Sequence, residues 1–522
     1  MPYNLIHERW IPVRREDGSE DWIEPWRITD PNNPPIALKA PRPDFNGALI
    51  QFLIGLVQTA CPPETERDWR RWLKQPPKPE VLKAAFSRYE DAFKLDGAGP
   101  RFMQDWSSGW TNEADNKPMQ LLLLDGPAED AVMKNKDHFT KEESSLTLAA
   151  PWAALALLTY QINVPRTPAG QGYSHHSTLR GGGPVTTIIL GQDLWHTVWL
   201  NILSETDFNQ LAASGEHTDD KDIFPWLTHH SSELREQVTR DDIHPAQLYW
   251  PMPRRIRLMK TQDEADLYGG YLTLREGIDY RSPWQHPLSP STGFNAINVQ
   301  EGHLTYQNWT TFATSQSRAA LVVQQFARRS HQLIGVQPRL WVFGFEISKA
   351  NVRAYRECTM PLFLVDPAIR ADLEEFASQL VEAAVALVGS LREALVKALY
   401  PETGRRPKGA SSSSIIQDAA SRFWRDTEPD FYGLLREARE TLMADHEALL
   451  LHLREQWLWR RPQNALRLTL RKHLLRLFDE VTQYGAFRGA DPRAVVKARE
   501  ELRIKASPYD KKIRGILSLP EP

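Results

Sequence analysis

The sequence predicts an α+β protein. A large mixed domain with irregular loops and short antiparallel sheets is followed by an antiparallel helical bundle of the four-helix type. Up to about residue 365, short alternating apolar runs are separated by proline- and glycine-rich turns, a pattern typical of strands joined by loops. Beyond Asp366-Pro367, a typical helix start, apolar residues recur every three or four positions. We therefore divide the chain into residues 1–365 and residues 366–522.

Composition narrows the class of protein. The chain has 522 residues, 41% of them hydrophobic, and 18 tryptophans that are expected mainly in cores. It has no long uncharged apolar run and no apolar signal core at its start, so a cytoplasmic protein without a membrane partner is expected. Cys61 and Cys358 are too few for a disulfide framework, and both are expected to be buried. The net charge of −3 does not indicate a nucleic-acid ligand, so such a site would depend on local patches.

The mixed domain opens with a predicted hairpin, in which Asn4–Arg14 pairs with Trp22–Trp26. The sequence Cys61-Pro62-Pro63 ends the first helix, since proline cannot continue it. Helical spacing of apolar residues predicts helices over 44–59, 65–73, 79–93, 146–161, 193–203 and 317–331. Apolar runs and alternation predict strands over 185–190, 253–260, 270–276 and 339–345.

Residues 168–187 are the most unusual stretch. They hold five glycines beside Arg180 and two histidines. Glycine permits positive φ and leaves backbone N–H groups accessible, which suits close approach to a phosphate or a base edge. Glycine-rich turns also serve simply to separate elements of a fold, and composition by itself favours that structural role. Neither a dinucleotide fingerprint nor a P-loop is present.

Three segments of the mixed domain have a composition that suits nucleic acid. The loop 134–141 combines three lysines with Asn135 and Phe139, which fits phosphate contact and base stacking, or an ordinary solvated loop. The strands 253–260 and 270–276 would form a ribbon, and a basic ribbon can enter a groove of DNA. Its basic faces carry Arg255 with Arg257 and Thr273 with Arg275. The tip 346–353 between two predicted strands exposes Lys349-Ala350-Asn351, either as a wedge or as a plain hairpin.

Further helices are predicted over 369–400, 413–425, 430–459, 463–485 and 491–504. The last helices carry the strongest basic cluster of the chain, which comprises Arg454, Arg460, Arg461, Arg467, Arg471, Lys472 and Arg476 with Trp457 and Trp459. This cluster fits either a phosphate track or a solvated surface, and Arg467, Arg471 and Lys472 are our predicted contacts to the DNA backbone. The histidines at 217, 229, 230 and 244 lack metal-ligand spacing. We expect no catalytic residue, no metal site and no cofactor.

Taken together, these segments resemble the CasA family, the large subunit of the type I-E CRISPR surveillance complex called Cascade. The most specific motif is Leu179-Arg-Gly-Gly-Gly-Pro-Val-Thr-Thr187. The resemblance rests on the order and spacing of this motif and of Asn4-Leu-Ile6, Trp10–Arg14, Asp44–Gln58, Phe102-Met-Gln104, His286-Pro287 with Ser289-Pro290, and Val322–Phe326. It covers essentially the whole chain.

The resemblance implies a non-catalytic subunit for antiviral defence. Such a subunit recognises a protospacer-adjacent motif in double-stranded DNA, mainly through the minor groove, and helps to open the duplex so that the guide RNA can pair. It then recruits the helicase-nuclease of the system. The implied partners are CasB, CasC, CasD and CasE, the CRISPR guide RNA, double-stranded target DNA and the helicase-nuclease.

The resemblance also implies roles for particular residues. The family's glycine loop falls on Gly170, Gln171, Gly172 and Tyr173, where two side chains interrupt the glycine run. Its lysine finger falls on Arg275, and arginine favours narrow minor grooves. Its wedge falls on Lys349, Ala350 and Asn351, without the glutamine of some members. Its first long loop, at the guide RNA and the target entry, falls on Lys134, Asn135, Lys136, Phe139 and Lys141.

Two other functions stay open. A helical-bundle scaffold without DNA contact would explain the C-terminal helices alone. A carbohydrate-acting hydrolase would explain the many tryptophans, but it needs two carboxylates that converge in a cleft, and no motif nominates a pair.

Overall fold

The computed structural model describes residues 2–106, 116–124, 147–164, 179–180, 182–211, 219–228, 237–261, 267–280, 285–292, 295–299, 304–314, 318–329, 333, 338–348, 351–401, 412–444, 448–459, 469–483, 491–507 and 509–520. Its contacts divide the chain into two compact units. Unit 1 comprises residues 1–301, 315–326 and 336–359, and unit 2 comprises residues 302–314, 327–335 and 360–522. Among the described residues, no helix has the length and apolar character needed to cross a membrane.

The strands are short and mostly antiparallel. In chain order they are β1 Ile11–Arg15, β2 Glu20–Ile23, β3 Pro35–Leu38, β4 Asn116–Pro118, β5 Thr147–Ala149, β6 Thr186–Leu190, β7 Gln237–Val238, β8 Arg254–Lys260, β9 Leu267–Glu276, β10 Asp279–Tyr280, β11 Ser291–Thr292, β12 Asn295–Ala296, β13 Arg339–Ser348 and β14 Asn351–Pro361. Two sheets of unit 1 position the segments of interest. The β9 sheet contains β4, β5 and β8, all paired with β9, and the β13 sheet has the order β14-β13-β6.

The helices of the first 330 residues are α1 Pro43–Ala60, α2 Glu66–Lys74, α3 Pro79–Ser87, α4 Ala150–Asn163, α5 Leu194–Trp199, α6 Glu205–Asn209, α7 Asp220–Ile223, α8 Trp309–Phe312 and α9 Leu321–Arg329. The later helices are α10 Pro367–Leu399, α11 Ser412–Met443, α12 Ala448–Leu458, α13 Leu470–Gln483, α14 Pro492–Lys505 and α15 Lys511–Ile516. Short 3-10 helices cover Pro25–Thr29, Glu90–Phe93, Met119–Leu122, Pro225–Leu227, Pro245–Tyr249 and Tyr306–Asn308.

Helix α1 is the centre of unit 1 and is buried over most of its circumference. Proline at its first position and the two prolines after Cys61 set its limits, as the sequence predicts. Phe52 on α1 packs edge to face against the rings of Trp10, Phe93, Phe102 and Trp250. Such aromatic pairs stabilise a core beyond their buried area. The expected role of tryptophan as a core residue is therefore confirmed around α1.

Unit 2 is built on α10, against which α11, α13 and α14 pack. Asp366 caps α10 by accepting a hydrogen bond from the N–H of Ala368. The sequence predicts one helix over 413–425 and another from 430, with a break between them near Pro429. This break is wrong, because α11 continues through the proline. Tertiary contacts on both sides explain this: the Tyr306 and Thr427 hydroxyls are 2.8 Å apart, and the Tyr306 ring stacks on Phe431. These contacts offset the cost of a proline in a helix, which is about 3 kcal/mol.

Candidate nucleic-acid interface

Both ends of the predicted lysine-rich loop are tied to strand β9. Before the loop, β4 pairs with β9, with Asn116 opposite Thr273. After it, β5 pairs with β9, with Thr147 opposite Gly269. The loop residues Lys134, Asn135, Lys136, Phe139 and Lys141 lie outside the described residues. Their two attachment points are nevertheless on the same strand that carries Arg275.

Arg275 lies near the end of β9, where its Cα is opposite that of Arg255 on β8. The antiparallel pairing of the two predicted strands is therefore confirmed. The two strands do not form a free ribbon, because β9 pairs with β4 and β5 as well as with β8. The ribbon is one part of a larger sheet, and only a part of it can face a ligand. The side chain of Arg275 is outside the described part of the structure.

The arginines of β8 form hydrogen bonds and an ion pair within the protein. Arg255 is buried, and its Nη2 lies 2.5 Å from an oxygen of the buried Asp105 carboxylate. Arg257 donates from its Nε to the backbone carbonyl of Asp105 at 3.1 Å. Segments far away along the chain enclose Arg255, which contradicts its predicted place on an exposed basic face, whereas Arg257 is partly exposed. The N–H of Asp105 donates to Ile256 O, and Gln104 Oε1 accepts from the N–H of Leu258.

Helix α4 separates the attachment points of the two predicted contact loops. It follows β5 directly, and its last residue, Asn163, precedes the segment 165–178. Its 14 residues at about 1.5 Å each give a length of about 21 Å. The helix thus lies between β5, which follows the lysine-rich loop in sequence, and residue 164, which precedes the glycine-rich stretch.

The predicted glycine loop residues Gly170, Gln171, Gly172 and Tyr173 lie outside the described residues. The second half of the glycine-rich stretch is described, and its role there is structural. Gly183 has a φ of +69°, and a Cβ at this position would lie 2.5 Å from the carbonyl oxygen of Phe345 on β13. Glycine is required here by both its conformation and the close approach of another backbone.

The β13 sheet joins this stretch to the predicted wedge. Strand β6 pairs with β13, with Thr186 opposite Phe343. Strands β13 and β14 are neighbours in the same sheet, and they extend to Ser348 and resume at Asn351. The tip is therefore shorter than the predicted range 346–353. Lys349 and Ala350 lie outside the described residues, as does the side chain of Asn351.

An ion pair holds the base of this hairpin. Glu346 on β13 is buried, and its carboxylate accepts from Arg356 on β14 at 3.1 Å. Arg353 lies 3.9 Å from the other carboxylate oxygen. Sequence reasoning missed Glu346 and Asp105 as positioning residues, since acidic residues are usually solvated and no local pattern marks a buried one. For Asp105 the one available signal was its position directly after the Phe102-Met-Gln104 motif.

The basic cluster predicted in unit 2 is described only in part. Arg460, Arg461 and Arg467 lie outside the described residues. Arg476 forms an ion pair with Asp426 at 3.1 Å, and Trp457 is in the core, where its indole N–H donates to Leu380 O. Arg454 lies over the ring of Phe376, and partial burial lowers its pKa. Arg471 and Lys472 on α13 are partly exposed, and no described carboxylate lies within 4.0 Å of either. They are the part of the cluster that suits phosphate contact.

Other sequence predictions concern chemistry. His244, which lacks metal-ligand spacing, caps the 3-10 helix Pro245–Tyr249, because its Nδ1 accepts from the N–H of Ala246. Over the described ranges, no group of histidine, cysteine and acidic side chains is arranged to hold a metal ion. Cys61 and Cys358 are partly exposed rather than buried. Surrounding apolar groups still raise the pKa of the Cys61 thiol to about 12, so this cysteine is not an activated nucleophile.

Both the sequence and the architecture of this chain are similar to those of known proteins. Residues 4–468 match the family model of the CRISPR-associated protein Cse1. The structure of Cse1 from Thermobifida fusca is 15% identical, with a TM-score of 0.70 over 99% of this chain and 98% of that chain. That of CasA (Cse1) from Thermus thermophilus is 16% identical, with a TM-score of 0.67 over 96% and 98% of the two chains.

A third similar chain comes from a structure described as a CRISPR RNA-guided surveillance complex. It is 16% identical, with a TM-score of 0.66 over 97% of this chain and 99% of that chain. At these identities the structural matches establish the fold. The family match over most of the sequence establishes the relationship, and this chain belongs to the CRISPR-associated Cse1 family.

Proposed function

We propose that this chain is the large subunit of a type I-E CRISPR RNA-guided surveillance complex and is not itself an enzyme. It recognises the protospacer-adjacent motif in double-stranded DNA and helps to open the duplex for pairing with the guide RNA. It then recruits the helicase-nuclease. Its partners are the other subunits of the complex, CasB, CasC, CasD and CasE, the guide RNA and target DNA, in the cytoplasm.

One observation supports the proposal: predicted contact segments that are distant in sequence are attached to two sheets of unit 1. Strand β9 carries Arg275 and both ends of the lysine-rich loop. The β13 sheet carries the end of the glycine-rich stretch and the hairpin whose tip is the predicted wedge. This arrangement suits a reader of one short motif, because the long target sequence is read by base pairing with the guide. Family membership and the similarity to a chain of a surveillance complex agree with it.

The direct test compares target binding by the reconstituted complex with and without this chain. The probes are two duplexes that differ only in the adjacent motif and a single strand complementary to the guide. We expect the chain to confer motif-dependent binding of the duplex, with little effect on the single strand. Equal binding of both duplexes in the presence of the chain would reject motif recognition. A chain that assembles into the complex without changing DNA binding would favour the scaffold alternative.

Replacing Arg275 by alanine should weaken binding of the duplex that carries the motif by about tenfold or more. A specific contact of an arginine with a base edge contributes about 1–3 kcal/mol of discrimination. Filter binding or fluorescence anisotropy at fixed salt would measure this effect. Arg70→Ala is the matched control, because Arg70 is an exposed arginine of α2, outside the β9 sheet. Equal losses in the two variants would show that Arg275 contributes only through general charge.

Replacing Arg467, Arg471 and Lys472 together by alanine should lower the affinity for all duplexes, with or without the motif. Each phosphate contact that is lost reduces the slope of log affinity against log salt by about 0.9, so we expect a decrease of up to about 3. Titrations at several salt concentrations would measure this slope. A triple alanine variant at Lys497, Lys511 and Lys512, exposed lysines of α14 and α15, controls for net charge. If both variants have the wild-type slope, the α13 cluster does not contact the DNA backbone.

A further inference from the structure

The glycine-rich motif contains an arginine that is enclosed by the protein. Arg180 is only 6% exposed, and both ends of its guanidinium are bonded. Its Nη2 donates to Gln51 Oε1 on α1 at 2.5 Å, and its Nη1 donates to Ser289 Oγ at 3.1 Å and to Thr186 Oγ1 at 3.4 Å. These four residues, the Arg180 network, join three chain segments that are more than 100 residues apart.

The described partners of Arg180 are all neutral. A buried guanidinium without a carboxylate is held only by the geometry of its hydrogen bonds, since no charge compensates for its loss of water. Burial lowers the pKa of Arg180 to about 9, so it still carries its charge at neutral pH. An apolar side chain of the same volume would cost less to bury. The network therefore serves to fix a position more than to maximise stability.

The described neighbour His286 contributes no second charge to the network. His286 is buried against Tyr249, with ring centroids 5.2 Å apart in an edge-to-face arrangement. Burial and the neighbouring Arg180 hold the pKa of His286 well below its usual value, so its imidazole is neutral. Its Nδ1 accepts from the N–H of Leu288, which orders the segment that presents Ser289.

The segment that Arg180 holds also supports the hairpin formed by β13 and β14. Besides the approach of Gly183 to Phe345, an added Cβ on Gly344 would lie 2.6 Å from the carbonyl oxygen of Pro184. Pro184 also forms an isolated bridge with Asn298, and Val299 forms one with Glu346. At Gly183 and Gly344 the backbone of residues 182–187 and the backbone at the base of the hairpin are thus in close contact. A movement of the first must move the second, because packed backbones do not deform gradually.

We propose that Arg180 is a positioning residue for motif recognition, one that fixes the end of the glycine-rich stretch and, through it, the base of the hairpin before DNA arrives. This inference rests on the proposed function. It assigns to Arg180 no contact with DNA. Arginine in the motif would otherwise be interpreted as a phosphate ligand, and its burial excludes that role.

The test uses the complete complex with Arg180→Met, which keeps the volume and removes the hydrogen bonds. The readout is the ratio of affinities for duplexes with and without the motif, measured well below the melting temperature of the variant. We expect this ratio to fall by about tenfold or more, since sites of recognition lose function when they are displaced by about 1 Å. Binding to a single strand complementary to the guide should stay within about twofold of wild type, because pairing with the guide does not require the motif.

Two other variants separate positioning from folding. Leu82→Ala, on the buried face of α3, should lower the melting temperature without changing the ratio. Arg180→Lys keeps the charge but has one donor group in place of the planar fork, so it should also lower the ratio. If Arg180→Met does not fold, Ser289→Ala removes a single acceptor and should give a smaller decrease in the ratio.

The outcomes distinguish this inference from the proposed function. If the wild-type chain shows no dependence on the motif, the proposed function fails, and the inference fails with it. If the wild-type chain discriminates and folded Arg180→Met discriminates equally well, only the inference fails. An unchanged ratio in Ser289→Ala and Arg180→Lys would overturn it in the same way. A parallel decrease of the ratio in Leu82→Ala would show that general stability accounts for the effect.

Discussion

Asp105→Ala is expected to lower the free energy of unfolding of this protein by about 3–5 kcal/mol, because removing one partner of a buried ion pair takes a close opposite charge away from the other partner in the protein interior. The Asp105 carboxylate and the Arg255 guanidinium lie 2.5 Å apart, and their side chains are 1% and 9% exposed. Without Asp105, the positive charge of Arg255 would stay in the interior of unit 1. Urea denaturation followed by tryptophan fluorescence would measure the loss, with the slope checked for a two-state transition.

An exposed ion pair provides the control for Asp105. Asp91→Ala removes the carboxylate 2.5 Å from Lys94, whose own side chain is half-buried. Because Asp91 is 81% exposed, water replaces most of the lost interaction, and the change should stay below about 1 kcal/mol. The double variant Asp105→Leu with Arg255→Met should recover much of the stability, since it removes both charges. Equal losses for Asp105→Ala and Asp91→Ala would show that burial of the Asp105–Arg255 pair adds nothing to its contribution to stability.

Gly183→Ala is expected to cost about 2–4 kcal/mol, the second large effect. Two terms contribute: a side chain at φ +69° is strained, and its Cβ would meet Phe345 O at 2.5 Å. Gly18→Ala isolates the first term, because Gly18 has a φ of +86° and no atom within 4 Å of the added Cβ. That variant should cost only about 1 kcal/mol. Denaturant titrations would measure the free energy of unfolding of both variants. Equal losses would show that the contact with Phe345 on β13 adds no cost, because the strand can move away from the added Cβ.

The two predictions matter for function because they concern the supports of the proposed interface. Asp105 binds Arg255 on β8, and β8 in turn pairs with β9, the strand that carries Arg275. Gly183 lets the end of the glycine-rich stretch lie directly on the strand that leads to the predicted wedge. Small losses of packing at either place are therefore expected to affect motif recognition as well as stability. Measuring both quantities in the same variants connects the supports to the proposed site.

Local sequence patterns were sufficient to predict many of the helices and strands of this protein. The spacing of apolar residues from Ile369 to Ala398 predicts one continuous helix, and α10 spans Pro367–Leu399. The alternation in 253–260 and 270–276 predicts the antiparallel pair β8 and β9. Ordered motifs predict the family, which the match over residues 4–468 establishes. These features were accessible because helices and hairpins are stabilised by neighbours in sequence, so their signals are local.

Tertiary structure alone decided which charged residues are available to a ligand. Arg180 and Arg255 lie in basic or glycine-rich segments that suggest a binding surface, yet both are enclosed by the protein. Gln51 and Ser289 bind Arg180, and Asp105 binds Arg255. Sequence cannot distinguish them from exposed arginines, because Gln51, Ser289 and Asp105, the partners that enclose them, are more than 100 positions away. Pro429 likewise continues a helix because distant aromatic contacts outweigh its local preference. Burial is a property of long-range packing, and it is burial that determines whether a charge supports the fold or faces a partner.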